Sequence, residues 1–201
     1  PTQFWTTELN ENIEQLQNEA YLIRKNDEDG VIKSNSGFHG YHSKDIKDLN
    51  NLPGTSKLIK QIINAVNVIH NISRQGDLQL TNFWINISGK GSSNSPHTHS
   101  GLTYSGVFFI KVPKEMKGGR FLFYRNFNEA DFISTEYMGL FKEGYQMQGY
   151  DYPINTISPK ENMLIVFPAW VPHAVEINLS NEERISLSFN FKLNRTFSRV
   201  K

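Results

Sequence analysis

Cysteine is absent from the 201 residues. No disulfide framework and no thiolate metal site can therefore be built, which leaves His and carboxylates as the available ligands. No run reaches the ~18 consecutive apolar residues of a membrane span. The start carries no signal-peptide pattern. Pro1 is read as the residue left by removal of an initiator Met. With neither a signal peptide nor a membrane span, a soluble, cytoplasmic protein is the expectation. An excess of one charge is also missing: 21 basic residues face 20 acidic ones, for a formal net charge of +1. Binding to phosphate backbones normally draws on a clear basic excess, so a nucleic-acid partner is disfavoured. Lys192, Arg195, Arg199 and Lys201 read as a solvated basic tail over 192–201.

Hydrophobic residues make up 38% of the chain, enough for the core of one domain. Leu9, Ile13, Leu16, Ala20 and Ile23 recur at helical spacing and predict a helix over 6–25, capped by Thr6 or Thr7. Residues 26–56, rich in Asn, Asp, Gly and Ser, read as a long connection. A second helix follows a cap at Thr55 or Ser56, with Leu58, Ile59, Ile62, Ile63, Val66 and Ile69 on its apolar face. From residue 78 the period changes to two. Short strands are predicted at 78–87, 106–112, 120–124, 163–167, 174–177 and 185–191. Helices first and strands afterwards predict an α+β, mainly β fold, a β-sandwich or jelly roll with the helices packed on one sheet. One domain over 1–201 is expected, with a helical part to residue 77 and a β core over 78–191. The irregular stretch 126–160 is read as a substrate-covering loop.

Chemistry concentrates in two segments, Ser95-Pro-His97-Thr-His99 and Phe167-Pro-Ala-Trp-Val-Pro-His173. Residues i and i+2 of a strand share a face, so His97 and His99 can point into one cavity. His173 can bring a third imidazole from another strand. Three ligands on one face of an octahedral ion leave three positions open, an arrangement suited to non-haem iron. Arg184 lies 11 residues after His173 and would open the neighbouring strand of a hairpin. Its guanidinium can bind a carboxylate bidentately, with Ser186 on the same face; alternatively it is an edge-strand residue paired with Glu182 or Glu183. His39 and His42 read as loop residues and His70 as a helix-end residue.

These segments, with Ser105-Gly-Val-Phe-Phe-Ile-Lys-Val-Pro113, Gly119-Arg-Phe-Leu-Phe123 and Arg184-Ile-Ser-Leu-Ser-Phe-Asn190, resemble the 2-oxoglutarate/iron(II) oxygenase superfamily. The resemblance is strongest to a small family of oxygenases found in marine bacteria and their phages. It implies a cupin-like double-stranded β-helix holding one Fe(II), with 2-oxoglutarate decarboxylated to succinate as a substrate is hydroxylated. Metal ligands would be His97, His99 and His173, and Arg184 and Ser186 would grip the co-substrate. The superfamily's commoner pattern has a carboxylate where His99 stands. Asp131, Asp151 and Glu176 are therefore alternative third ligands.

Asn86 and Asn94 are candidate hydrogen-bonders to the ligands, and Phe109 and Phe123 candidate core residues. Trp84 and Trp170 are expected near the cavity mouth, mainly as packing residues, and Tyr104 and Arg125 are candidates to face the cavity. The expected partner is a small molecule or a protein side chain, because the barrel outline resembles prolyl 4-hydroxylases; a homodimer is left open. Two other readings compete. One is a cupin-like three-histidine metalloenzyme that does not use 2-oxoglutarate. The other is a non-enzymatic phage jelly-roll module; for a phage-encoded chain the expected cytoplasm is that of the host cell.

Overall fold

The structure, a computed structural model, describes residues 3–27, 30, 40–73, 76–124 and 154–194. Arg125, Asp131, Asp151, His39 and most of the 126–160 stretch lie outside them. Strand β1 (Trp5–Glu8) precedes helix α1 (Ile13–Asn26), and β2 (Tyr41–His42) precedes α2 (Pro53–Ser73). Then come β3 (Asp77–Ser88), β4 (Asn94–His97), β5 (Tyr104–Lys111) and β6 (Phe121–Tyr124). The last four strands are β7 (Ile154–Ile157), β8 (Met163–Pro168), β9 (His173–Val175) and β10 (Arg184–Asn194).

These strands form a six-stranded antiparallel sheet, β1-β8-β5-β10-β3-β2, and a four-stranded one, β4-β9-β6-β7. Side chains alternate between the two faces of each strand. On the large sheet Phe83, Ile85, Phe108, Ile110, Leu187 and Phe189 point one way, into a core shared with Leu16, Leu58 and Ile62 of the helices. Val107, Phe109, Ile165 and Phe167 point the other way and pack against Phe121 and Phe123 of the small sheet. The layers are thus helices, large sheet and small sheet, the jelly-roll arrangement expected of the sequence.

Local details differ from the predicted elements. Thr6 and Thr7 do not cap α1 but pair with Ile165 and Leu164 of β8. The cap is Asn12, whose side chain accepts from the Gln15 amide. Helix α2 starts earlier than predicted, at Pro53, where a missing N–H costs nothing. Glu19 of α1 supplies its capping acceptor: the carboxylate takes the Gly54 and Thr55 amides and the Thr55 hydroxyl. Strand β10 continues to Asn194, three residues into the stretch read as a tail. Among the described residues no helix is long and apolar enough to cross a membrane.

Candidate metal centre

Arg184, Ser186, Ser188 and Asn190 occupy the face of β10 turned towards the small sheet, and all line a cavity of about 350 Å³ between the sheets. Beside them on β3 are Asn82, Trp84, Asn86 and Ser88, which line it as well. Strand β10 is interior, with β3 on one side and β5 on the other. A polar alternation would ordinarily mark a solvent face. Here Arg184, Ser186 and Asn190 are all buried, so the alternation marks a polar cavity wall.

The opposite wall carries His97 of β4 and His173 of β9, which are register partners. Their ring centroids lie 4.3 Å apart, and each lies 5.1 Å from the ring of His99. One ring nitrogen from each of the three falls within 4.8 Å of the others, a spacing that could hold a metal ion. His97 and His99 do not share a strand as the i, i+2 argument supposed, because β4 ends at His97. His99 reaches the cluster because its amide donates to Ala169 O at 2.9 Å, which ties it to the segment leading into β9.

Two of the imidazoles are oriented in the same way. Nδ1 of His97 is 2.8 Å from Ser95 O, and Nδ1 of His173 is 2.9 Å from Val171 O. A carbonyl can only accept, so each Nδ1 carries the proton and a neutral ring presents the lone pair of Nε2. That tautomer is the one metal ligation requires, with the carbonyl fixing the ring plane. Each histidine follows a proline, Pro96 or Pro172, whose nitrogen has no hydrogen to compete for the carbonyl. Burial, then the neighbouring His97 and His99, pushes the His173 imidazole down to about 3. It therefore stays neutral and competent to ligate well below neutral pH.

Arg184 sits across the cavity from His173, rather than beside it in a hairpin. The connection between β9 and β10 changes sheets and is held by Asn178, whose side chain donates to Ser88 O and Glu182 O. The guanidinium donates from Nη1 to Gly119 O at 2.8 Å, and Nη2 lies 3.5 Å from Ser88 Oγ. Its Nε is buried without a partner, and among the described residues no carboxylate pairs with it. The edge-strand alternative is thereby removed, since Glu183 instead receives Arg24 and the Tyr21 hydroxyl. Burial lowers the guanidinium to about 10, still charged at neutral pH. A buried cation with an unused donor fits an anionic ligand.

Glu176 is not among the clustered ligand groups. Its carboxylate is bound by Arg120 Nε at 2.7 Å and by Nη2, and that pairing holds it below the usual carboxylate range. Among the described residues the cluster contains histidines alone.

The neighbouring residues divide. Asn86 donates to Ser188 Oγ and lines the cavity, as do Asn94, Trp84 and Phe109. Phe123 belongs to the core between the sheets. Tyr104 faces the helices, and Trp170 is 54% exposed and does not line the cavity. His70 is buried in the last turn of α2. His42 is a correction: it lies in β2, lines the cavity and stacks on Trp84 at 5.3 Å. No local pattern marked it, because the contact joins segments far apart in the chain.

Comparison with known proteins places this geometry. Among solved structures, a Pseudomonas putida prolyl-4-hydroxylase superposes with a TM-score of 0.61 at 14% identity, covering 96% of this chain and 94% of that one. A Trichoplax adhaerens prolyl hydroxylase, solved with a hypoxia inducible factor peptide fragment, gives 0.66 at 12% identity, covering 94% and 83%. HygX from Streptomyces hygroscopicus, solved with nickel and 2-oxoglutarate, gives 0.59 at 13% identity, covering 98% and 84%. These likenesses establish the double-stranded β-helix fold. No curated protein sequence matches the chain. The family described as "Putative 2OG-Fe(II) oxygenase" matches residues 82–190, just over half the chain, from the cavity-lining end of β3 through β10. The chain belongs to this family, whose members use Fe(II) and 2-oxoglutarate.

Proposed function

We propose that the protein is a hydroxylase in which His97, His99 and His173 hold Fe(II) while Arg184 and Ser186 hold the far carboxylate of 2-oxoglutarate. The observation that carries this reading is the buried Arg184, with its unpartnered Nε, in the same cavity as three clustered imidazoles. Iron(II) with 2-oxoglutarate, when bound, supplies oxidative decarboxylation to succinate coupled to oxygen transfer to a substrate C–H bond. The remaining work belongs to the chain. The backbone carbonyls of Ser95 and Val171 keep the Nδ1 protons on His97 and His173, so that both rings present Nε2. Arg184 provides a fixed positive charge buried away from bulk water, where charge-assisted bonds are strong. Phe109, Phe121 and Phe167 line the apolar part of the cavity and limit the water that reaches the ligands.

Three neutral histidines leave the site one charge more positive than two histidines and a carboxylate would. That favours a dianionic co-substrate. On this reading the whole chain acts as one domain on a small molecule or a protein side chain. The prolyl hydroxylases that share the fold supply the precedent for the latter.

The test is anaerobic titration of the Fe(II)-loaded protein with 2-oxoglutarate, following its visible charge-transfer absorption. The band should appear in the wild type. Arg184→Ala should raise the half-saturating concentration roughly 100-fold, in line with loss of a charge-assisted bond worth ~3 kcal/mol. Iron binding without the band, or an unchanged titration in Arg184→Ala, would overturn the assignment.

A further inference from the structure

Among the described residues the cavity is lined by two formally charged side chains besides its histidines, Arg184 and Asp45, and they lie towards opposite ends. Arg184 pairs in register with Ser88 at one end of β3, and Asn190 pairs with Asn82 towards the other. Trp84 stands between these two levels, with its ring 6.4 Å from that of His99. Beyond Trp84, Asn82 donates to Asp45 Oδ1 at 3.1 Å. Asp45 is exposed and lines the cavity, so it stands where the cavity meets solvent.

Asp45 ends a chain of side-chain hydrogen bonds that crosses the large sheet. Ser105 Oγ donates to Asn190 Oδ1 at 2.7 Å, and Asn190 Nδ2 donates to Asn82 Oδ1 at 3.0 Å. The carboxylate sets every direction in the chain. It can only accept, so Asn82 must turn its NH2 towards it and its carbonyl towards Asn190. Asn190 must then give its own NH2, and the Ser105 hydroxyl must donate. Ser105 and Asn190 are buried, and polar groups at such positions cost stability relative to apolar ones unless fully bonded. The chain thus ends on one carboxylate at the rim, which it reaches through Asn82 Nδ2. That carboxylate has no cation of its own among the described residues: neighbouring Lys44 is held by Asp27 at 2.8 Å.

We infer that the Asp45 end is the substrate subsite, and that it takes a protonated amine or guanidinium group. The inference rests on the oxygenase reading and names the substrate class for the same cavity. A dianion is drawn to Arg184 at one end and a cation to Asp45 at the other, with Trp84, and His99 beside it, between them. The polarity of the cavity then sorts the two ligands by charge and stops either from occupying the other's end. Asp45 provides the ion pair. Asn82 holds its carboxylate, and the stacked His42 and Trp84 rings form the adjoining wall.

The probes are agmatine, glucosamine and the blocked peptide acetyl-Gly-Lys-Gly-amide, each beside its N-acetylated counterpart. Binding to the full chain is followed by calorimetry, and succinate formation is measured with Fe(II) and 2-oxoglutarate present. At least one cationic probe should bind and stimulate succinate formation while its acetylated form does neither. A response to the peptide alone would identify the cation as a protein side chain, and a response to the free amines a small molecule. Asp45→Asn keeps an acceptor for Asn82 but removes the charge, and should weaken that binding at least tenfold. Asp45→Glu should restore part of it, and Asp48→Asn, outside the cavity, should leave it unchanged. Equal binding in Asp45→Asn, preference for the acetylated forms, or no response to any amine while 2-oxoglutarate is consumed would each overturn the subsite. Failure to bind 2-oxoglutarate at all would instead overturn the oxygenase reading beneath it.

Discussion

His97 and His173 are register partners in the β4–β9 pair, and each donates its Nδ1 proton to the carbonyl two residues before it. A repeated local device, proline then histidine with a returning hydrogen bond, meets itself across two strands. Pairing fixes the separation of the rings, and the carbonyls fix their tautomer. Such a pair is preorganised for a cation before one arrives.

His99 stands outside that device, and its contribution to metal binding is separable. If three histidines form the complete ligand set, His97→Ala, His99→Ala and His173→Ala should each weaken Fe(II) binding by more than about 100-fold, beyond the roughly 10–100-fold that loss of an outer hydrogen bond costs. Competition against a calibrated chelator measures this directly. Wild-type affinity in His99→Ala would show that this imidazole is not a ligand.

Acid should destabilise the metal-free protein through His173. Its imidazole, ordinarily protonated below about 6.5, is held down to about 3 by burial and then by its histidine neighbours. Above pH 6.5 the native and unfolded states are both neutral at this residue, and it adds no pH dependence. Below that, the unfolded chain takes up a proton that the native state refuses, so stability falls with pH until about pH 3. At ~1.4 kcal/mol per unit, about 2 kcal/mol should be lost between pH 6.5 and pH 5. Paired carboxylates such as Glu176, held low by Arg120, are still ionised over that window. Urea titrations at the two pH values should show this loss in the wild type and much less in His173→Gln. Equal slopes in both proteins would assign the acid sensitivity elsewhere.

The strands predicted at 78–87, 106–112, 120–124, 163–167, 174–177 and 185–191 were readable because a period of two, rich in Val, Ile, Phe and Tyr, is a local signal. The exceptions were β1, β2, β4 and β7, the last of which lies at Ile154–Ile157 within the stretch read as a loop. Trp5-Thr-Thr-Glu8 forms a strand only by pairing with β8, and β4 contains Pro96 in a four-residue span. The histidines and Arg184 were legible from residue type and spacing, but their relation was misread. A short connection favours a hairpin, and Asn178 instead carries the chain between sheets. One cue in the sequence did mark the cavity: Arg184, Ser186, Ser188 and Asn190 alternate with Ile185, Leu187 and Phe189. In a strand flanked on both sides and covered on both faces, that polar set has to line a cavity. Asp45 and His42 gave no such cue, since only tertiary packing brings them to the rim.

Helix docking should be separable from the metal centre, and Glu19 is where it can be tested. Its buried carboxylate accepts the Gly54 amide at 2.8 Å and the Thr55 amide and hydroxyl at 2.7 Å, joining α1 to the first turn of α2. An anion there also meets the positive end of the helix dipole. Glu19→Ala strands two backbone donors in a buried position and should cost about 2–4 kcal/mol; Glu19→Gln keeps one good acceptor and should cost about half as much. Urea unfolding with an unchanged denaturant slope reads both values. The helices cover the face of the large sheet opposite the cavity, so the folded Glu19→Ala protein should still bind Fe(II) with wild-type affinity. A cost below about 0.5 kcal/mol would mean that water replaces the carboxylate without penalty. Lost iron affinity at full stability would mean that the helix layer and the histidines are coupled through the sheet.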